Sequence, residues 1–137
     1  MRRFTIAILA STFLACAQIS ALNPFGGITG GPAQAFGIAK AGYIAAFESA
    51  ARYVVICQQQ PPTLECDELG ELVFDKVNPQ ARQNIALGDA VAAGLITPEM
   101  ACIEETDPGC TERNRAKQLE MLSQALQQAA VMLNSRR

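Results

Sequence analysis

The chain has 137 residues, half of them hydrophobic, yet only 6% are aromatic and none is tryptophan. A chain of this length holds one domain with one core, and so few aromatic residues favour helices packed through Ala, Leu, Val and Ile. The formal net charge is −2, from 11 basic and 13 acidic residues, which excludes the basic surface that nucleic acids and anionic lipids attract.

Residues 1–21 have the layout of a secretory signal peptide. Two arginines precede an apolar run over residues 4–14, and small residues follow it. The run is too short to cross a bilayer, which takes about 20 apolar residues. Cleavage is expected after Ala17 or after Ala21, and it leaves 9 basic and 13 acidic residues, a net charge of −4.

Two other readings of this N-terminus stay open. One is a membrane anchor, and the other is a bacterial lipoprotein acylated at Cys16 and exposed to the periplasm. Phe13 stands where lipoprotein signals prefer Leu, which argues against acylation. No later segment has about 20 uninterrupted apolar residues, so we expect no membrane span after cleavage and a secreted, extracellular protein.

Residues 22–32 predict a flexible arm, because four Gly and two Pro in eleven residues oppose helix formation. A phosphate-binding loop is disfavoured, since the segment lacks GxGxxG and the Walker lysine and no strand precedes it. The rest of the chain, residues 33–137, is expected to form a single helical domain.

Residues 33–57 predict a long amphipathic helix, the element around which the domain is organised. Glu48, Ser49 and Arg52 fall on its outward side, and Ala and Gly fill much of the remainder, which lets another helix approach closely. Its inward side consists of Phe36, Tyr43, Phe47, Ala50, Val54 and Cys57.

A Pro pair at 61–62 ends this helix, and a second helix is predicted over residues 66–77. Three later junctions each place a capping residue directly before Pro, a pair preferred at helix starts. They are Asn78-Pro79, Thr97-Pro98 and Asp107-Pro108, so helices are predicted to begin near 79, 98 and 108.

The last helix is predicted from 108 to about 134, with Leu at alternating steps of three and four. A coiled-coil seam with another chain is an alternative, but barely two heptads are present, so docking on the first helix is favoured. The sequence thus predicts an all-α fold, a disulfide-stapled bundle of four to five helices.

Four cysteines follow the signal peptide, an even number typical of exported, disulfide-bonded domains. They form two close couples across Pro-containing loops, which favours Cys57–Cys66 and Cys102–Cys110 over the two crossed arrangements. Each bridge closes a loop of about ten residues, worth around 2–3 kcal/mol by chain entropy. Zinc is not expected, because CxxC spacing and histidine are both absent.

The sequence offers little for catalysis, so we expect neither an enzyme nor a cofactor. It has no histidine, the commonest general base and metal ligand. Acidic side chains cluster in two places, and neither cluster has the alternating oxygens and Gly of a calcium loop, so both are interpreted as solvated surface. The clusters are Asp67, Glu68, Glu71 and Asp75, and then Glu104, Glu105 and Asp107.

Two functions are compatible with these features. The first is a secreted, non-enzymatic interaction module that binds an extracellular protein. The second is an extracellular carrier for a lipid or small hydrophobic ligand, held in an apolar cavity inside the bundle. The cavity would be lined by Phe36, Tyr43, Phe47, Val54, Leu119, Leu122 and Leu126. The Ala-rich surfaces favour close packing over a cavity, and therefore favour the first function.

Overall fold

The computed structural model describes residues 31–61 and 63–135, and within them it contains helices and no strand. The all-α prediction is therefore confirmed for this part of the chain. The helical elements are α1 (Pro32–Gln58), α2 (Leu64–Gly70), a π-helix (Glu71–Val77), α3 (Asn78–Ala92) and α4 (Cys110–Asn134).

The number of separate helices differs from the prediction. The π-helix continues from α2 and leads directly into α3, so these three elements form one rod from residue 64 to residue 92. The described residues thus form three helical rods, where four to five helices were predicted.

Helix α1 matches the predicted helix over 33–57 and begins one residue earlier. Pro32 occupies its first position and Gly31 lies at the N-cap, with Ala35 N–H donating to the Gly31 carbonyl (3.0 Å). Proline suits this position because its φ is already helical and its missing N–H would have no partner there. The remaining arm, 22–30, and the predicted signal peptide, 1–21, lie outside the described residues.

Helix α3 begins at Asn78, next to the predicted start near 79, with Pro79 in its first turn. The prediction of a separate helix at this point is not confirmed, because the chain is already helical before it. Val77 and Asn78 both have right-handed helical backbone angles, and Asn78 N–H donates five residues back, to Val73 O. Turns bonded this way are wider than α-helical turns. They give room to the proline ring, which in a regular α-helix collides with the carbonyl four residues back.

A continuous buried stripe explains why the rod does not break at residue 79. Leu69, Val73, Val77 and Ala81 are all buried and follow one another at four-residue steps. Such a stripe drifts around a regular α-helix of 3.6 residues per turn. The π segment takes more residues per turn, so it counters the drift and keeps the stripe facing the core.

At the two later Pro junctions, the sequence predicts only one or two turns over residues 97–104 and a last helix that begins near 108. The segment after Thr97 forms a single hydrogen-bonded turn, in which Met100 N–H donates to the Thr97 carbonyl (2.9 Å). Helix α4 begins at Cys110 instead of 108, and its N-cap, Gly109, has a left-handed backbone (φ 77°). Asp107 does not cap it, and its carboxylate instead pairs with Arg113 at 2.6 Å.

The core lies mainly between α1 and α4, the two longest helices, and the central rod closes it from the side. Small residues of α1 such as Ala46 and Ala50 allow the close approach that the sequence indicated. The side chains with almost no exposed surface are Val54, Cys66, Val73, Val91, Leu126 and Leu133.

Both predicted disulfides are present, and each holds a helix end. The Cys57–Cys66 bond joins the last turn of α1 to α2, and the Cys102–Cys110 bond closes the loop before α4. In each pair the Cα atoms lie 5.9 Å apart, within the usual range for disulfides. Asn114 reinforces the second loop by donating from Nδ2 to the carbonyl of Met100 (3.1 Å).

Candidate functional site

The seven side chains predicted to line a ligand cavity meet in the hydrophobic core. Six of them are buried, and Phe47 is partly buried and packs against the others. The Phe47 ring stacks on Tyr43 (centroids 6.1 Å apart) and meets Phe74 edge-on at 5.9 Å. The structure therefore brings together Phe36, Tyr43, Phe47, Val54, Leu119, Leu122 and Leu126, which interlock as packed core.

Polar contacts fix α1 against α3 at the edge of this core. The Tyr43 hydroxyl donates to Asn78 Oδ1 at 3.1 Å, and burial raises the pKa of Tyr43. One turn away, Lys40 pairs with Asp89 at 2.6 Å. This ion pair is partly exposed, so it contributes at most about 1 kcal/mol, and its main effect is to set the position of α1 along α3.

A solvent-open groove of about 600 Å³ lies between α1 and α3 beside this ion pair. Ile44, Phe47 and Ile85 give it apolar walls, and Glu48 and Arg82 supply opposite charges. Small-molecule sites often have this size and these mostly apolar walls, but they enclose most of the ligand surface, whereas this groove is open to solvent. On α1, Glu48 belongs both to this groove and to the exposed outward side of the helix.

The outward side of α1 exposes several large apolar side chains to solvent. Ile38 is 65% exposed, Val55 is 52% exposed and Ile56 is 59% exposed. Among the exposed residues of α1 from 38 to 56, only Glu48 and Arg52 are charged. We define the α1 outer face as six exposed residues: Ile38, Ala41, Ala45, Glu48, Arg52 and Val55.

The exposed side of α4 is more polar than the outward side of α1, although Met121, Val131 and Met132 are also exposed on it. The exposed side of α4 carries charged and amide side chains, among them Lys117, Glu120 and Gln124. A helix that is apolar on both sides is normally covered on both sides, and in the described residues nothing covers the α1 outer face. The candidate functional site is therefore this face.

Sequence reasoning missed this face because it treated the Ala and Gly residues of α1 as contacts inside the bundle. The structure buries Ala46 and Ala50 in the core and leaves Ala41 and Ala45 exposed. The available signal was the weak amphipathicity of the segment, whose apolar residues surround the helix. In a monomeric bundle one side of such a helix must remain uncovered.

The acidic clusters have structural surroundings that differ from one another. Asp67, Glu68, Glu71 and Asp75 are exposed on the central rod, and Glu71 pairs with Lys76 at 3.0 Å. Across residues 31–61 and 63–135, no group of three or more Cys, Asp or Glu side chains is placed to hold a metal ion.

Glu104, from the second cluster, has a specific role that the sequence did not reveal. Its carboxylate accepts the N–H of Gly109 (2.6 Å) and the N–H of Thr111 (3.0 Å). It thereby satisfies donors that every helix N-terminus leaves unpaired. Hydrogen bonds from the Thr111 hydroxyl and from these two backbone groups lower the pKa of Glu104.

In the part of the chain that the structure describes, no helix combines the length and the apolar character needed to cross a membrane. Comparison with known proteins found no match to a family model, to a curated protein or to a solved structure.

Proposed function

We propose that the protein is a secreted, non-enzymatic interaction module that binds another extracellular protein through the α1 outer face. The observation that carries the proposal is the exposure of this face, whose apolar surface is interrupted only by Glu48 and Arg52. Exposed apolar surface of this kind, bordered by polar residues, marks interaction sites.

The disulfides support the extracellular location. Both bonds link cysteines close in sequence and hold helix ends, a structural use typical of oxidising compartments. A cleaved signal peptide at residues 1–21 accounts for the export. The proposal that the module is non-enzymatic rests on the absence of histidine from the chain and on the oxidised state of four cysteines.

The carrier function has less support. The side chains proposed as its cavity lining contact one another and fill the space between α1 and α4. A ligand of useful size would have to displace this packing, whereas a protein can bind the α1 outer face without rearranging the core. We therefore retain the interaction module.

Site-specific photo-crosslinking tests the proposal. A compact diazirine-bearing residue, uncharged and about the size of Leu, replaces Ala45 on the α1 outer face, and a matched variant carries it at Gln124, exposed on α4. Both variants are secreted by the source cells, irradiated in the external medium and analysed by mass spectrometry. We expect a defined protein crosslinked from position 45 and not from position 124. Equal crosslinking from both positions, or none from position 45, would contradict the proposal.

A further inference from the structure

We propose that the partner that fits the α1 outer face is a second copy of this chain, bound through an antiparallel α1–α1 contact with twofold symmetry. This inference rests on the proposed function, because it needs that face to be a docking surface. It adds the identity of the partner and the register of the contact.

The spacing of the face predicts that a helix binds it. Its six residues, from Ile38 to Val55, follow one another at steps of three, four, three, four and three, and all are exposed. Residues spaced alternately by three and four positions form the line of contact when one helix packs along another. Ala45 has a small side chain, so a second helix backbone can approach closely at that position.

The charges of the face select a second copy. Its two charged residues, Glu48 and Arg52, have opposite signs and lie one helical turn apart. In a twofold contact, each residue meets its counterpart reciprocally. An antiparallel pair centred between residues 48 and 52 therefore places Glu48 opposite Arg52 of the second copy, twice. The same register sets Ala45 opposite Val55 of the second copy, a small side chain against a larger one.

Other arrangements satisfy these charges less well. A parallel pair aligns identical positions, so it would bring Glu48 against Glu48 and Arg52 against Arg52, and like charges repel. A strongly acidic or strongly basic partner would leave one of the two charges opposed. A membrane surface is disfavoured, because membrane-binding helices carry Lys and Arg along their polar side.

The length of the contact indicates a weak dimer. In this register only the residues from Ala45 to Val55 meet counterparts on α1 of the second copy, because Ile38 and Ala41 would need counterparts beyond Gln58, where α1 ends. The contact therefore extends about 15 Å at the α-helical rise of about 1.5 Å per residue. One helix pair of this length falls in the class of small, transient interfaces, below about 1,200 Å² in total. The dimer is therefore expected to dissociate on dilution, with a Kd in the micromolar range.

Analytical ultracentrifugation of the purified mature chain tests this inference. Measurements at concentrations up to about 1 mM suffice, because a dimer with a Kd in the micromolar range is formed at that concentration. We expect a monomer–dimer equilibrium for the wild type. The Ala45→Arg variant should be monomeric because its long charged side chain blocks close approach. Glu48→Arg and Arg52→Glu should each raise the dimer Kd at least about tenfold, equivalent to 1.4 kcal/mol. Glu120→Arg makes the same charge change as Glu48→Arg on the outer side of α4 and should leave the Kd unchanged.

Mixing the variants gives the sharpest test. Glu48→Arg and Arg52→Glu, each weakened alone, should form a heterodimer when mixed, because the mixture restores both opposite-charge pairs between copies. The double variant E48R/R52E should return to within about threefold of the wild-type Kd. Circular dichroism checks that every variant keeps its helical content.

Two outcomes would overturn the inference. One is a wild type that stays monomeric at the highest concentration, and the other is a dimer that neither Ala45→Arg nor the charge reversals weaken. Its failure is distinguishable from that of the proposed function. A chain that stays monomeric in the centrifuge but still crosslinks a different extracellular protein from position 45 refutes the dimer alone. Absence of any crosslink from position 45 refutes the proposed function, and the dimer is refuted with it only when the chain also stays monomeric at about 1 mM.

Discussion

The aromatic ring of Phe36 on α1 lies directly against the backbone of Gly88 on α3. A β-carbon built at Gly88 would stand within 3.0 Å of three Phe36 ring atoms, closer than real β-carbon contacts come. Phe36 is only 2% exposed, so its ring is buried in the core. The absence of a side chain at residue 88 therefore sets the distance between α1 and α3.

Gly88→Ala should destabilise the protein. Alanine favours helix over glycine by about 1 kcal/mol, but it forces the Phe36 ring out of its position, and overpacking of this kind costs about 1–3 kcal/mol. Steric cost should prevail because three ring atoms are involved, so we expect a lower free energy of unfolding. Urea denaturation followed by circular dichroism measures the change.

Gly42→Ala is the matched control for this substitution. Gly42 is also in the interior of a helix, but a β-carbon there would have nothing within 4 Å. At this position only the higher helix propensity of alanine matters, so the free energy of unfolding should rise by about 0.5–1 kcal/mol. Similar changes for the two variants would contradict the close packing of Phe36 on Gly88.

The carboxylate of Glu104 should make the stability of the loop before α4 depend on pH. Hydrogen bonds lower its pKa below the ordinary 4.5, so the folded state favours the ionised form. This contribution is present above the unfolded pKa and is lost as the pH falls through the lower, folded pKa. Glu104→Gln should therefore reduce the dependence of the melting temperature on pH between about pH 5 and pH 3.

Glu105→Gln serves as the control for this pH measurement, because Glu105 is the neighbouring exposed carboxylate. If the melting temperature depends on pH in the same way in the wild type and in Glu104→Gln, the hydrogen bonds to the Glu104 carboxylate contribute nothing to the pH dependence of stability. A direct check is the NMR titration of the Glu104 side chain, whose midpoint should lie below 4.5.

Removing either disulfide should destabilise the fold without changing its helical rods. The bonded cysteines are separated by nine residues in Cys57–Cys66 and by eight in Cys102–Cys110. Loops of this size contribute about 2–3 kcal/mol through the entropy of the unfolded chain. Paired Cys→Ala substitutions, C57A/C66A and C102A/C110A, should each lower the free energy of unfolding by about that amount.

Hydrogen exchange distinguishes the local effects of the two bonds. Loss of Cys102–Cys110 should increase exchange in the first turn of α4, where Gly109 and Thr111 donate to Glu104. Loss of Cys57–Cys66 should increase exchange at the end of α1. Increased exchange at both places in both variants would mean that the bonds act only on global stability.

The features that the sequence predicted correctly depend on residues close together in the chain. Helix α1 could be predicted because its buried positions, from Phe36 to Val54, repeat at the helical period. The disulfide pairing could be predicted because each cysteine couple spans a short loop between helices. Both signals lie within one segment and its neighbours, where local geometry limits the possibilities.

The candidate site could not be predicted in the same way, because it depends on which side of α1 the other helices occupy. Ala45 and Ala46 are adjacent and identical in type, yet Ala46 packs in the core and Ala45 is exposed. Side-chain type alone does not distinguish them. The role of Glu104 is likewise set by the folded loop, which brings its carboxylate to the start of α4.

The junction at Pro79 shows how tertiary packing overrides a local signal, and substitution there gives the last prediction. An Asn-Pro pair normally starts a helix, but Val73 and Val77 before it and Ala81 after it belong to one buried stripe. Because the π-helix already accommodates the proline ring, Pro79→Ala should change the free energy of unfolding by less than about 1 kcal/mol. This is well below the roughly 3 kcal/mol that proline costs inside a regular helix.

The control for this prediction is Ala86→Pro, at an exposed position in α3 seven residues further along. No wider turn precedes that position, so the ring should collide with the carbonyl four residues back and cost about 3 kcal/mol or more. Stabilisation by Pro79→Ala of about 3 kcal/mol would instead mean that the proline is strained in the native rod. A small effect at 79 beside a large one at 86 would show that the π-helix gives the central rod the room to pass through Pro79 unbroken.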